Sequence, residues 1–367
     1  MNHLEEPNRR RGIDIPPPWE NLLRAIAEQG SLCLVIGPTD AGKSTFCLLA
    51  ADYGLRAGRR PALLDTDPGQ SDLGPPAALG LALVEKPLGR LEEAAPTGLH
   101  FVGATSPVGH LLEVTTGAAR LAQRARRRGA DLIIVNTSGL VRGGIARALK
   151  MAKIALLSPS HVVSISAAGE TEAILAGLRG RSTPAVHRLA PSRQAVSRSP
   201  EERRKRRESK FAAYFRGANE MQLDLRGLSV PGGLWLSGKP LEGVSLSYAE
   251  ERLEAKVLWG ERTAEGAFFI VEGRPNRGGE EALAESFGGE ARTIEKRALE
   301  KLLIGLVDDA GEDIALGIIE AVDFKQRRMT LLAPLSGPER VRGVRLGSLR
   351  VSAEGVELES LPPSIWR

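Results

Sequence analysis

The sequence predicts an α/β fold: a parallel sheet flanked by helices over about residues 30–190, followed by a β-rich C-terminal region. Three observations carry this. Short apolar runs of strand length, such as residues 32–36 and 132–135, alternate with stretches of helical spacing. These runs are apolar throughout, as strands covered on both faces are. After about Gln222 the texture changes to runs such as GAFFIVEG, DIALGIIEAVD and RRMTLLAPL, separated by glycine and charged turns.

Taken in order, residues 1–20 read as a polar, proline-containing arm. Residues 21–29 have helical spacing and stop at Gly30. A strand is expected at 32–36, a helix at 44–57 and a second short strand at 62–64. Further strands are expected at 99–103, 132–135 and 161–165. Helices are expected at 111–128, 145–157 and 171–178. In the C-terminal region GLWLSG and AKVLWGE read as β, with one helical interlude near 280–306. Trp235 and Trp259 there read as core or interface residues, not base-stackers. The expected domains are a kinase-type domain over 21–220, with a lid at about 191–216, and a β-rich domain over 221–367.

The chain has 367 residues, of which 42% are apolar and 26% charged, so wholesale disorder is excluded. No stretch approaches the ~20 apolar residues of a membrane span, and the first residues lack the apolar core of a secretory signal. With two cysteines, Cys33 and Cys47, a disulfide scaffold is excluded and a cytoplasmic location is expected. A net charge of +5 permits a nucleic-acid partner without demanding one. Aromatics at 4% argue against an extended base-stacking platform. The five histidines are scattered and read as structural.

The strongest signal is Gly37-Pro-Thr39-Asp40-Ala41-Gly42-Lys43-Ser44-Thr45, a complete G-x-x-x-x-G-K-S loop. A strand precedes it and a helix follows. Glycines let the backbone wrap a phosphate, and the loop amides and helix N-terminus face the anion. Lys43 reaches the β/γ-phosphates in such loops, and Ser44 offers its hydroxyl to Mg²⁺. The loop specifies a nucleoside triphosphate but not the reaction.

Asp65-Thr-Asp67-Pro-Gly-Gln70 follows the second strand. Acids at a strand's C-terminal end lie beside the phosphate loop in an open α/β sheet. One can accept a proton from an attacking hydroxyl while the other helps hold hydrated Mg²⁺. A guanine-specific switch is disfavoured, since no Asn-Lys pair occurs anywhere in the chain.

Residues 198–216 form a basic segment opened by Ser199-Pro200-Glu201-Glu202, a capping box with proline at the first helical position. Arg203 and Arg207 lie four apart on one face and are expected to point into the site, with Arg204 turned away. Arg198 sits just before the helix. Phe211, Tyr214 and Phe215 would anchor it. A solvated basic face is one reading; the other is a lid that closes arginines over phosphates and excludes water.

Together GPTDAGKSTF, LDTDPGQSD, FVGATSP, VNTSGLVRG and the arginine segment ending in YFRG resemble the polynucleotide 5′-hydroxyl kinase family. This family includes the kinase subunit of the eukaryotic pre-mRNA cleavage factor and the nucleolar pre-rRNA-processing kinases. The resemblance implies a P-loop kinase that moves the γ-phosphate of ATP to the 5′-hydroxyl of RNA or DNA, with Mg²⁺. It implies Asp65 as general base, with Asp67 and Gln70 supporting metal or substrate. Thr137, Gly139 and Leu140 fall on a segment that clasps the nucleic-acid end. Arg198, Arg203 and Arg207 match the lid arginines in spacing. Two departures stand out. Leu140 occupies a position where the family usually has tryptophan. Only about 30 residues precede the first strand, whereas the eukaryotic relatives carry an N-terminal domain that helps hold the base; other nucleoside triphosphates are therefore expected alongside ATP. The rival readings are a catalytically quiet ATP-binding scaffold in an RNA-processing complex and an assembly ATPase. The latter expects a second lysine early in the loop, and positions 38–41 have none.

Overall fold

The computed structural model describes residues 14–366. The chain divides into two compact units, the break falling after Arg207. The first unit is built on a sheet in the order β4-β3-β2-β5-β1-β6-β7. Its strands are β1 (Ser31–Ile36), β2 (Pro61–Thr66), β3 (Ala78–Leu83), β4 (Gly98–Phe101), β5 (Leu132–Thr137), β6 (His161–Ile165) and β7 (Ala185–Leu189). The five strands from β2 to β7 in that order pair parallel, while β3 and β4 pair antiparallel.

Alternate residues of the parallel strands feed two cores. Cys33, Val35 and Ile134 face one side, where they pack with α1 (Pro17–Gln29) and α2 (Lys43–Arg56). Leu34, Ile36 and Val135 face the other, against α3 (Leu111–Arg127) and α4 (Gly143–Leu157). A short helix, α5 (Glu172–Leu175), follows β6. Both faces are covered, which is why these strands read as unbroken apolar runs.

Three features depart from expectation. Helix α1 starts at Pro17 and takes in Trp19, so the last residues of the expected arm are helical; residues 1–13 of that arm lie outside the described residues. Strand β3 was hidden in a glycine- and alanine-rich run. A Cβ at Gly80 would stand 1.8 Å from the Leu73 carbonyl oxygen, so the backbone approach itself selects glycine there. Strand β7 is half-exposed and polar, and carries no apolar run to announce it.

Helix α6 (Pro200–Phe215) runs through the break between the units, upstream of the expected boundary at 220/221. Its capping box forms: Glu202 N–H donates to Ser199 Oγ at 3.1 Å, and Ser199 N–H donates to Glu202 Oε2 at 2.6 Å. Such a cap is worth about 1 kcal/mol. Phe211 and Phe215 are buried.

The second unit is mostly β. An antiparallel sheet runs β8 (Asn219–Asp224), β15 (Arg328–Ala333), β14 (Asp313–Asp323), β13 (Leu302–Val307), β16 (Gly343–Val351), β17 (Glu357–Ser360). A smaller sheet holds β9 (Lys239–Pro240), β10 (Lys256–Arg262), β11 (Gly266–Glu272) and β12 (Glu290–Glu295), with α7 (Val244–Leu253) and α8 (Arg277–Phe287). The expected helical interlude is thus shorter, and β12 and β13 occupy its second half. β12 pairs with β11 across the intervening helix, and β13 lies between its hairpin partner β14 and the distant β16. GLWLSG forms turns and no strand. Trp235 and Trp259 are buried in the core of this unit.

Candidate nucleotide-binding and phosphoryl-transfer site

The phosphate loop connects β1 to α2. Gly37 is dictated by contact, since a Cβ there would lie 2.3 Å from the Ile165 carbonyl oxygen. Gly42 adopts φ 93°, the left-handed region that favours glycine. Asp40 also has positive φ, 61°. Its side chain is tied: Oδ2 accepts from Arg198 N–H at 2.9 Å and from Arg203 Nη2 at 2.9 Å. Burial works against its ionisation, but these hydrogen bonds and the two guanidinium charges outweigh it and hold the carboxyl below its ordinary range.

Beside the loop lies a cleft of about 790 Å³. Lys43 is buried in its wall and donates to the Pro38 carbonyl at 2.6 Å. Burial pushes its ammonium below the usual lysine range, against the pull of Asp67, Asp40 and Asp65. Ser44 donates to Asp72 Oδ2 at 2.9 Å, and Asn136 Nδ2 reaches Ser44 Oγ at 3.3 Å. Trp19 stands under the loop, its ring 3.2 Å from where a Cβ on Gly42 would be, and edge-on to Phe46.

The two acids after β2 part company. Asp65 is 1% exposed and does not line the cleft. Its oxygens accept from Asp72 N–H at 2.6 Å, Asp67 N–H at 3.1 Å and Asn136 Nδ2 at 3.3 Å. Burial, then the charges of Asp72 and Asp67, push its carboxyl up to about 8. Asp67 lines the cleft, with Oδ1 fixed by the Gly69 and Gln70 amides at 2.9 and 3.2 Å. The structure thus presents Asp67 to the cleft and keeps Asp65, the expected base, buried behind it. The carboxylate on Ser44 is likewise Asp72, and not Asp67.

The cleft collects most of the residues singled out from sequence. Thr39, Asp40, Gly42, Thr45, Gln70 and Arg198 line it along with those above. Thr137 and Gly139 do too, and Gly139 is pressed so close to the loop that a Cβ would meet Thr39 Oγ1 at 2.2 Å. Gly37, Ala41 and Leu140 lie outside the lining; Leu140 packs against the core under α3 and α4.

The arginines divide in a way spacing could not foresee. Arg203 reaches Asp40. Arg206, unremarked in the sequence, lines the cleft and donates to Asp72 Oδ1 at 3.0 Å and to Glu92. Arg207, like Arg203, is half-buried and does not line it. On a helix both i+3 and i+4 neighbours share a face with residue 203, and of the three arginines only the one at 206 lines the cleft. Arg206→Ala is therefore expected to lower transfer more than Arg207→Ala does, by about tenfold or more, with Arg204→Ala near wild type. Equal rates for the three variants would show that position within the basic run is immaterial.

Hard oxygen donors suit Mg²⁺, which is held by one or two carboxylates plus substrate phosphates. Ser44 Oγ and Asp72 fit, and Asn136 Oδ1, buried without a hydrogen-bond partner, offers an acceptor to a metal-bound water. Among the described residues no three His, Cys, Asp or Glu side chains group into a metal cage. His161 Nδ1 and His187 Nε2 pair at 3.1 Å away from this cleft.

Residues 37–217 match the family described as mRNA cleavage and polyadenylation factor CLP1 P-loop. The chain is 28% identical over 347 residues to a polyribonucleotide 5′-hydroxyl-kinase of Pyrococcus furiosus, covering 94% of this chain and 95% of the relative. It is 29% identical over 354 residues to the enzyme of that name from Thermococcus kodakarensis, with the same coverage. The Gallus gallus polyribonucleotide 5′-hydroxyl-kinase Clp1 matches at 33% over 204 residues, 52% of this chain and 46% of that one. In fold the chain resembles Clp1p, solved in a Clp1p–Pcf11p complex, with TM-score 0.59 and 14% identity over 90% of this chain and 78% of that one. Residues 37–217, which hold the phosphate loop, Asp67 and the arginine-bearing helix around one cleft, belong to the CLP1 P-loop family.

Proposed function

We propose that the protein is an ATP-dependent kinase acting on the 5′-hydroxyl end of a polyribonucleotide. One observation carries the reading: a carboxylate fixed by two backbone amides, Asp67, shares a cleft with the phosphate loop and with the Thr137–Gly139 segment. Names carried by the archaeal relatives supply the acceptor class.

In this mechanism the 5′-oxygen attacks the γ-phosphorus, the bond from γ-phosphorus to the β,γ-bridging oxygen breaks, and ADP leaves. The proton of the 5′-hydroxyl passes to Asp67. Lys43 and the loop amides hold the β- and γ-phosphates, and Arg203, Arg198 and Arg206 stand where guanidinium groups can neutralise the transferring phosphoryl. Ser44 and Asp72 would hold Mg²⁺, which when bound draws charge off the phosphate oxygens. Thr137 and Gly139 border the space for the acceptor end. ATP is the donor, with other triphosphates accepted. The buried, unpaired Cys33 and Cys47 suit a cytoplasmic location, and no described helix is long and apolar enough to cross a membrane.

The test is transfer of label from γ-labelled ATP to a 5′-hydroxyl oligoribonucleotide, beside its deoxy counterpart and a 5′-phosphorylated control. Label is expected on the 5′-hydroxyl RNA and absent from the control. ATP binding without transfer to either 5′-hydroxyl oligomer would overturn the reading in favour of an ATP-binding scaffold.

A further inference from the structure

Helix α4 packs on the sheet through Ala146, Leu149, Lys150, Lys153, Ile154 and Leu157, spaced as one core-facing stripe. Two lysines therefore sit where apolar side chains belong, and both are 0% exposed. Neither hydrogen-bonds a carboxylate. Lys150 Nζ donates to Thr137 Oγ1 at 2.9 Å, the Ser138 carbonyl at 2.6 Å and Ser138 Oγ at 3.2 Å. Three oxygen atoms thus surround its Nζ. Lys153 Nζ donates to Thr66 Oγ1 at 2.7 Å and the Thr66 carbonyl at 3.1 Å.

The threonines carry the connection onward. Thr66 Oγ1 donates its own proton to the Asn136 carbonyl at 2.7 Å, and Thr137 Oγ1 donates to the Val35 carbonyl at 2.8 Å. Two buried lysines thus tie together the C-terminal ends of β2, β5 and β1. Those ends bear Asp67, the Thr137–Gly139 segment and the phosphate loop respectively. A buried ammonium costs more than an apolar side chain of similar size, so stability alone does not account for it.

We propose that Lys150 and Lys153 are positioning residues for phosphoryl transfer: Lys153 sets Asp67 through Thr66, and Lys150 sets the acceptor segment through Thr137 and Ser138. The inference rests on the kinase reading above.

The groups facing Lys153 are Asp65 and Asp67 at the end of β2 and Lys150 on its own helix. Burial pushes its ammonium down to about 7, against the attraction of the two acids. An unfolded lysine keeps its proton to much higher pH, so between these limits the unfolded chain binds more protons and stability rises with pH. The cost of Lys153 is then full below about pH 7. Asp65, raised by its own burial, runs the opposite way.

The experiment compares wild type, Lys150→Met and Lys153→Met in 5′-hydroxyl kinase kinetics, ADP titration and melting at pH 6 and pH 9.5. Lys153→Met is expected to lower kcat by about 10- to 100-fold, the scale of a small misplacement. ADP affinity should stay within about threefold. Lys150→Met is expected to raise the acceptor KM by about tenfold on the same scale. Lys153→Met should also gain more in melting temperature over wild type at pH 6 than at pH 9.5. Unchanged kinetics in folded Met variants would overturn the proposal and leave both lysines as packing residues. Should the Met variants fail to fold, Thr66→Val and Thr66→Ser decide: valine should lower kcat and serine restore it, and equal activity in both overturns the role of Lys153. A wild type without kinase activity would instead strike the proposed function itself.

Discussion

Asp67→Asn is expected to lower transfer by about 10²–10⁴-fold, the usual contribution of a general base, with ADP affinity changed little. Asparagine keeps the Oδ1 acceptor that the Gly69 and Gln70 amides need, so the loop should hold its shape. What is lost is the oxygen able to take a proton. Asp65→Asn should behave differently. Its carboxylate accepts three N–H groups, and an amide there turns one acceptor into a donor facing the Asp67 or Asp72 N–H. Leaving a buried N–H unsatisfied costs about 1–3 kcal/mol. A lowered melting temperature and weakened nucleotide binding should therefore accompany any loss of rate at Asp65. If Asp65→Asn loses turnover with melting and ADP affinity intact while Asp67→Asn keeps its rate, the two roles are reversed.

Lys43→Ala is expected to reduce transfer by at least about 10²–10³-fold, since it deletes a preorganised charge at the phosphates. The fold should survive. Lys43 is buried at the first turn of α2, and its ammonium donates to the loop's own Pro38 carbonyl. Removal of a desolvated ammonium offsets the lost bond. Circular dichroism and melting establish folding, and γ-labelled ATP with a 5′-hydroxyl oligoribonucleotide gives the rate. Near-normal transfer in a folded Lys43→Ala protein would place the reaction outside this loop.

How much was legible beforehand depended on distance along the chain. The loop from Gly37 to Thr45 and the Ser199/Glu202 cap are local: fixed spacings within a few residues decide their geometry. The apolar runs of β1, β2, β5 and β6 announced a doubly covered sheet because burial on both faces removes polar alternation. Strand β3 stayed hidden because the close approach of Leu73 demands glycine where a strand would ordinarily carry a bulky side chain.

The site's finer chemistry lay outside the reach of any local pattern. In DTDPGQSD, three acids within eight residues look equivalent, yet packing sends Asp65 into the protein, Asp67 to the cleft and Asp72 to Ser44. In α6, i+3 and i+4 spacing favour Arg206 and Arg207 equally, and the position of Asp72 and Glu92 separates them. Lys150 and Lys153 resemble solvated charges until the acceptors of β2 and β5 are placed beneath them. The sequence by itself therefore determined that this protein binds a nucleoside triphosphate in a P-loop α/β domain, since that chemistry is written into contiguous backbone geometry. The tertiary structure alone decided which acid faces the cleft, which arginine of the helix enters it and which lysines are buried. Those outcomes depend on which face of the folded chain a side chain meets, as when Ser44 takes Asp72 and Arg206 meets Asp72 and Glu92 from distant parts of the chain.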